Sequence, residues 1–205
     1  PPYEWEKVLE RGAWRGKENQ GVLSMCVFGN ALYVGSGIQG GGIDKANGIG
    51  PAAAELLRIH EDRSWDLIVG EPRDTPDGFK VPLSGRRAGF DSFFNGYIWR
   101  LCEHEGWLYT GTFEWSGCLG YVKRSRWPGA FANMMAHVTP KMIFDNGTGF
   151  DMYRSCDGEN WVPVSRNGLG NPYNMGLRTL ESTPYGLFVG TANPWGPKVM
   201  PLDGD

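Results

Sequence analysis

The chain has 205 residues, a formal net charge of -3, 40% hydrophobic residues and 13% aromatics. That balance excludes an electrostatic case for nucleic acid, because no basic cluster offsets the charge and Lys123-Arg124-Ser125-Arg126 is too short to follow a polyanion. No run approaches the roughly 18 apolar residues of a membrane span, and 31 Gly with 14 Pro point to short strands and turns rather than helices.

In chain order, Trp5–Leu9 (WEKVL) reads as a short strand opening on Trp. Leu23–Gly35 (LSMCVFGNALYVG) reads as a strand, a tight turn and a second strand ending in an aromatic, a small residue and Gly. Glu55–Ile59 (ELLRI) and Trp65–Val69 (WDLIV) follow as third and fourth strands. The same order returns in Trp99–Gly111 (WRLCEHEGWLYTG), Phe150–Arg154 (FDMYR) and Trp161–Val164 (WVPV). It returns again in Arg178–Gly190 (RTLESTPYGLFVG) and Lys198–Leu202 (KVMPL). The missing fourth strand of that last unit is found at the start of the chain: LDGD joined to PPYEWEKV matches SCDGENWVPV.

Self-similarity at a long fixed period marks a repeat architecture. Four-stranded antiparallel units repeated radially are the blades of a β-propeller. The expected fold is therefore all-β, a single propeller portion over residues 1–205. Its blade units lie near 10–69, 97–164 and 176–202, with 5–9 as an outer strand. Propellers have about four to eight blades, so three do not close a ring. The expectation is a homodimer with a six-bladed ring, or missing blades on another chain.

A unit of roughly 70 residues exceeds the usual 40–50 or so of a blade, and the excess lies in loops. The turns at Gly29-Asn30, Glu105-Gly106, Tyr185-Gly186, Glu61–Ser64 and Cys156–Asn160 are short and share one face. The connections on the opposite face are long: Gly37–Ala54, Glu71–Gly96 and Trp115–Gly149, the last including Ala130–His137, which could form a short helix. Residue-rich loops on a rigid scaffold are where binding chemistry collects.

Ser155-Cys156-Asp157-Gly158-Glu159-Asn160-Trp161 resembles the Asp-box turn of sialidase-like propellers, one residue short between Asp157 and Gly158. Asp203-Gly204 and Asp62…Trp65 are fainter echoes. The resemblance implies a fold rather than an activity, with the acid bonding turn amides and the Trp packing between strands. The segments Gly89–Gly111 and Gly168–Gly190 are similar to bacterial propeller proteins of unassigned function. Small fucose-binding lectins that build a propeller from short identical chains offer an architectural precedent, without their sequence pattern here.

Asn19, Asn95 and Asn174 recur just ahead of each inner strand. Asn there either bonds nearby backbone or contributes to a ring of amides at the channel mouth. The ligand-binding candidates are Asp91, Glu114, Asn95, Asn174, Arg100 and Arg178, with the aromatics Phe94, Trp115, Trp127 and Trp195. Aromatic rings suit stacking on sugars or burying a partner's side chain. No catalytic constellation stands out. His60, His104 and His137 form no zinc motif, and Gly35–Gly42 lacks the Lys-Ser/Thr ending of a phosphate loop. No metal or cofactor is expected, nor a disulfide framework from Cys26, Cys102, Cys118 and Cys156. The reading is a non-catalytic binding or assembly module for a glycan or protein partner, with a periplasmic or extracellular location favoured. The alternative is a carbohydrate-active enzyme, a glycoside hydrolase or lyase, with acids at the axial mouth.

Overall fold

The structure, a computed structural model, describes residues 4–123, 125, 132–133 and 135–194. Strands β1 (Gly21–Phe28), β2 (Ala31–Gly37), β3 (Leu56–Ile59) and β4 (Trp65–Val69) pair in sequence order as an antiparallel meander. A small hairpin, β5 (Arg73–Thr75) and β6 (Gly78–Lys80), then lies within the loop expected over Glu71–Gly96. A second meander follows: β7 (Asn95–His104), β8 (Trp107–Glu114), β9 (Met152–Ser155) and β10 (Val162–Ser165). A third begins with β11 (Gly176–Thr183) and β12 (Gly186–Ala192). The chain is all-β, a curled antiparallel sheet in which successive units touch through single ladder pairs, Gly37 opposite Tyr97 and Phe113 opposite Gly176.

The local chemistry accounts for these elements. Gly29 and Asn30, and Glu105 and Gly106, all take positive φ, the two-residue turn whose twist matches that of paired strands. In the third hairpin the turn falls one residue earlier than expected, on Pro184 and Tyr185, with Thr183 paired to Gly186. Each first strand also carries an irregularity at one equivalent place, between Val22 and Ser24, Ile98 and Arg100, and Leu177 and Thr179. A bulge there increases the local twist and curls each unit in the same way.

Two cores lie between units. Tyr33, Leu56 and Ile68 of the first unit pack on Phe90, Ile98, Leu101, Tyr153 and Trp161 of the second. Phe90 stacks on Tyr153 at 4.2 Å and meets Trp161 edge-on at 5.5 Å. Between the second and third units, Phe150 and Met152 pack on Leu177 and Leu180. The Gly that ends each hairpin pattern allows this approach: a Cβ on Gly35 would lie 2.5 Å from Ile98, and one on Gly111 would lie 2.4 Å from Leu177.

Trp5–Leu9 pairs with no strand among the described residues, and Trp5 is 95% exposed. Of Ala130–His137, residues 132–133 and 135–137 are described, the first two helical and the last three in a turn, whereas Lys198–Leu202 lies outside the described residues. Helix α1 (Pro140–Asp145), capped by Thr139 through a 3.2 Å bond from the Met142 amide, was not expected from the sequence. No helix among the described residues is long and apolar enough to cross a membrane.

Candidate functional site

A polar lock recurs in the units and shows which side chains the repeat itself requires. In the second unit the Asn95 amide donates to the Gly89 carbonyl and the Asp151 carboxylate, both at 2.8 Å. Thr112 donates to Asn95 at 2.9 Å and accepts from the Asp151 amide at 2.9 Å. The first unit repeats this with Asn19, Gly12, Ser36 and Glu55, at 2.7 to 3.0 Å. In the third, Asn174 donates to the Gly168 carbonyl at 2.9 Å. These asparagines hold backbone across the strand entrances. Buried polar groups satisfied in this way fix one arrangement of the chain.

The two locked acids meet different surroundings. Glu55 is sealed: Arg73 grips both its oxygens at 2.8 and 2.9 Å, and the Glu71 amide donates at 2.9 Å. A Cβ on Gly70 would already lie 2.5 Å from it. Asp151, at the equivalent position, has no such arginine clamp. Beside it opens a cavity of about 450 Å³ whose walls include Ser92, Phe94, Asn146, Gly149 and Arg166.

Glu114 completes that cavity. It stands at the end of β8, where the other units have Ile38 and Asn193, so the repeat does not call for a carboxyl there. It is buried, and accepts from the amides of Ser116 at 2.9 Å and Gly149 at 3.3 Å. Burial pushes its pKa up to about 7; the Ser116 and Gly149 hydrogen bonds oppose the rise and the charge of Asp151 adds to it. Burial also raises Asp151, against its Asn95 hydrogen bond and the charge of Arg166. No hydrogen bond or close ion pair joins Arg166 to another described residue. The cavity therefore sets two carboxyls, both raised by burial, beside one guanidinium. It offers donors and acceptors with little net charge.

The other sequence candidates are scattered. Asp91 accepts from Arg86 at 3.1 Å and from the Arg87 amide at 2.9 Å, beside a separate cavity of about 360 Å³. Phe94 reaches the Glu114 cavity and packs edge-on to Trp115 at 4.9 Å. Trp115 itself is buried in a small core with Leu119, Met135 and Ile143. A groove of about 590 Å³ runs past it and the Gln39–Asn47 loop. Arg100 donates to the Trp99 carbonyl at 3.0 Å, and Arg178 lies over the Trp99 ring at 5.6 Å. Trp127 and Trp195 lie outside the described residues. Of the ten candidates, Phe94 and Glu114 line the cavity, with Asn95 behind it holding Asp151.

Sequence reasoning did not select Asp151, Arg166 or Asn146. Asp151 was legible as the counterpart of Glu55, and Arg166 as the departure from Gly70 at the same register. Asn146 follows α1, an element without a counterpart in the other units. The turn Ser155–Trp161 lies on the opposite face. There Asp157 accepts from the Asn160 and Glu159 amides at 2.7 and 2.8 Å, and Trp161 donates to the Gly158 carbonyl at 3.2 Å. Against the desolvation that would raise it, these bonds hold the Asp157 carboxyl well below the usual range. Among the described residues no group of three His, Cys, Asp or Glu side chains is arranged to hold a metal. Comparison with protein-family models, with curated proteins and with solved structures returns no match.

Proposed function

We propose that this chain is a three-blade portion of a β-propeller that binds a neutral, hydroxyl-rich ligand, a glycan, in the Glu114 cavity. The carrying observation is the departure from the repeat: where the first unit seals its acid with Arg73, the second leaves Asp151 beside an open cavity and adds Glu114. Carboxylates accept from sugar hydroxyls, Arg166 and Asn146 donate, and Phe94 supplies one apolar wall. A cavity of about 450 Å³ falls in the range of about 300–1,000 Å³ usual for small-ligand sites. The concave, polar form favours a glycan over a protein partner. The acid-centred turn Ser155–Trp161 and the repeated hairpins support the blade reading, and further blades, from a second copy or another chain, complete the ring. A glycan array tests the binding: wild type retains a neutral oligosaccharide, and Arg166→Ala loses it at least tenfold. Equal binding by both, or by neither, sinks the proposal.

One observation favours a second reading, a glycoside hydrolase or lyase. A buried carboxyl with a pKa pushed up to about 7, with a second carboxyl in the same cavity, is the kind of pair that general acid catalysis at a glycosidic oxygen uses. Glu114→Gln distinguishes the two. A binding module keeps its affinity and has no turnover to lose, whereas an enzyme keeps affinity and loses its rate on the retained oligosaccharide by at least a hundredfold.

A further inference from the structure

Each unit has a leading face, turned toward the unit before it, and a trailing face, turned toward the unit after. On the second unit's leading face Ile98 is 0% and Leu101 8% exposed. On the third, Leu177 is 0% and Leu180 6% exposed. Their counterparts on the first unit, Val22 and Met25, are 60% and 62% exposed. They border a groove of about 340 Å³ that also takes in Leu32, Leu57 and Ile59.

The trailing faces tell the complementary story. Tyr33 of the first unit is 2% exposed beneath the second, whereas its counterpart Phe188 on the third is 58% exposed. Gly35 meets Ile98, and Gly111 meets Leu177. Among the described residues, Gly190, at the same register, has only Thr179 of its own unit beside it. The chain thus carries both halves of a junction that it makes twice internally.

Resting on the propeller reading above, we infer that the occupant of each open face is a second copy of this chain. Val22 of one copy lies over Gly190 of the other, as Ile98 lies over Gly35, and Phe188 packs beside the groove at Met25. A two-fold axis along the channel generates both junctions from one pair of faces. Two copies then give six units, within the range of about four to eight blades in a propeller. The occupant is more specific than an apolar partner, because the Gly at position 190 matches the size of the β-branched Val22.

Light scattering on a sizing column tests this with the 205-residue chain. The expected mass is that of two copies. Val22→Asp with Met25→Glu, at exposed positions that leave the internal cores untouched, halves it. Gly190→Leu, which fills the seat for Val22, also halves it. Mixing the two variants restores a dimer through the one intact junction. A dimer that neither variant splits overturns the inference, and so does a wild-type monomer. Small-angle scattering from that monomer then judges the propeller reading separately: an open half-ring profile keeps the reading, and a compact closed body removes it.

Discussion

Asn95→Ala should cost far more stability than the equivalent Asn19→Ala. Among the described residues Asn95 is the one short side-chain donor to the buried Asp151 carboxylate, at 2.8 Å, with the Tyr153 hydroxyl distant at 3.5 Å. Removing it forfeits a charge-assisted bond of about 1.5–3 kcal/mol and leaves a buried charge without a close partner. Asp151 escapes part of that penalty by taking up a proton, which for an ordinary carboxyl at pH 7 costs up to about 4 kcal/mol. The expected loss is therefore about 3–4 kcal/mol near neutral pH. Glu55, by contrast, keeps both Arg73 bonds and the Glu71 amide after Asn19→Ala, so that change should cost about 1–2 kcal/mol. Urea unfolding with an unchanged slope reads the difference. Asp151 has a folded pKa raised above its unfolded value, and loss of Asn95 raises it further. The added penalty is absent below the unfolded pKa and grows as pH rises above it. The gap between the variants should consequently narrow toward pH 4. Equal losses, or a gap that does not change with pH, would refute the reasoning.

Glu114→Gln should stabilise the fold at alkaline pH. A rise from 4.5 to about 7 is a penalty of roughly 3 kcal/mol, absent below pH 4.5 or so and complete above about 7; part returns as the lost second acceptor. Urea midpoints from pH 5 to pH 8 check this, and a pH-independent difference contradicts it. Gly158→Ala should cost about 2–4 kcal/mol, because φ is +78° and its Cβ would lie 1.8 Å from the Tyr33 hydroxyl; a thermal shift within error of wild type would count against that packing. Gly111→Ala drives a methyl to 2.4 Å from Leu177 and should cost about 1–3 kcal/mol. Hydrogen exchange should then speed up most in β11 and β12, and uniform exchange would show that the third unit does not dock there.

The hairpins were legible because each carries its own instructions. Gly29-Asn30 and Glu105-Gly106 specify their turns, and the closing Gly35 and Gly111 mark where the next unit's strand comes close. The polar lock was half legible: Asn19, Asn95 and Asn174 recur visibly, but their partners are distant in sequence and differ in kind, Ser36 with Glu55 and Thr112 with Asp151. The cavity was least legible. It is made by what is missing, an arginine clamp on Asp151, and by loops without counterparts, so that only Glu114 and Phe94 of its walls stood among the candidates. Trp115, chosen as an aromatic suited to stacking on a ligand, packs in the loop's own small core beside a groove, because an insertion of that length buries apolar side chains of its own.

The Glu114 carboxyl is the group on which the account turns, and carbon-13 NMR of labelled side-chain carboxyls reads it directly. Its titration is followed with and without a panel of neutral oligosaccharides. The account predicts a midpoint close to 7, absent from Glu114→Gln, that moves when a bound oligosaccharide enters the cavity. A midpoint in the ordinary carboxylate range, or one that no member of the panel displaces, would contradict it.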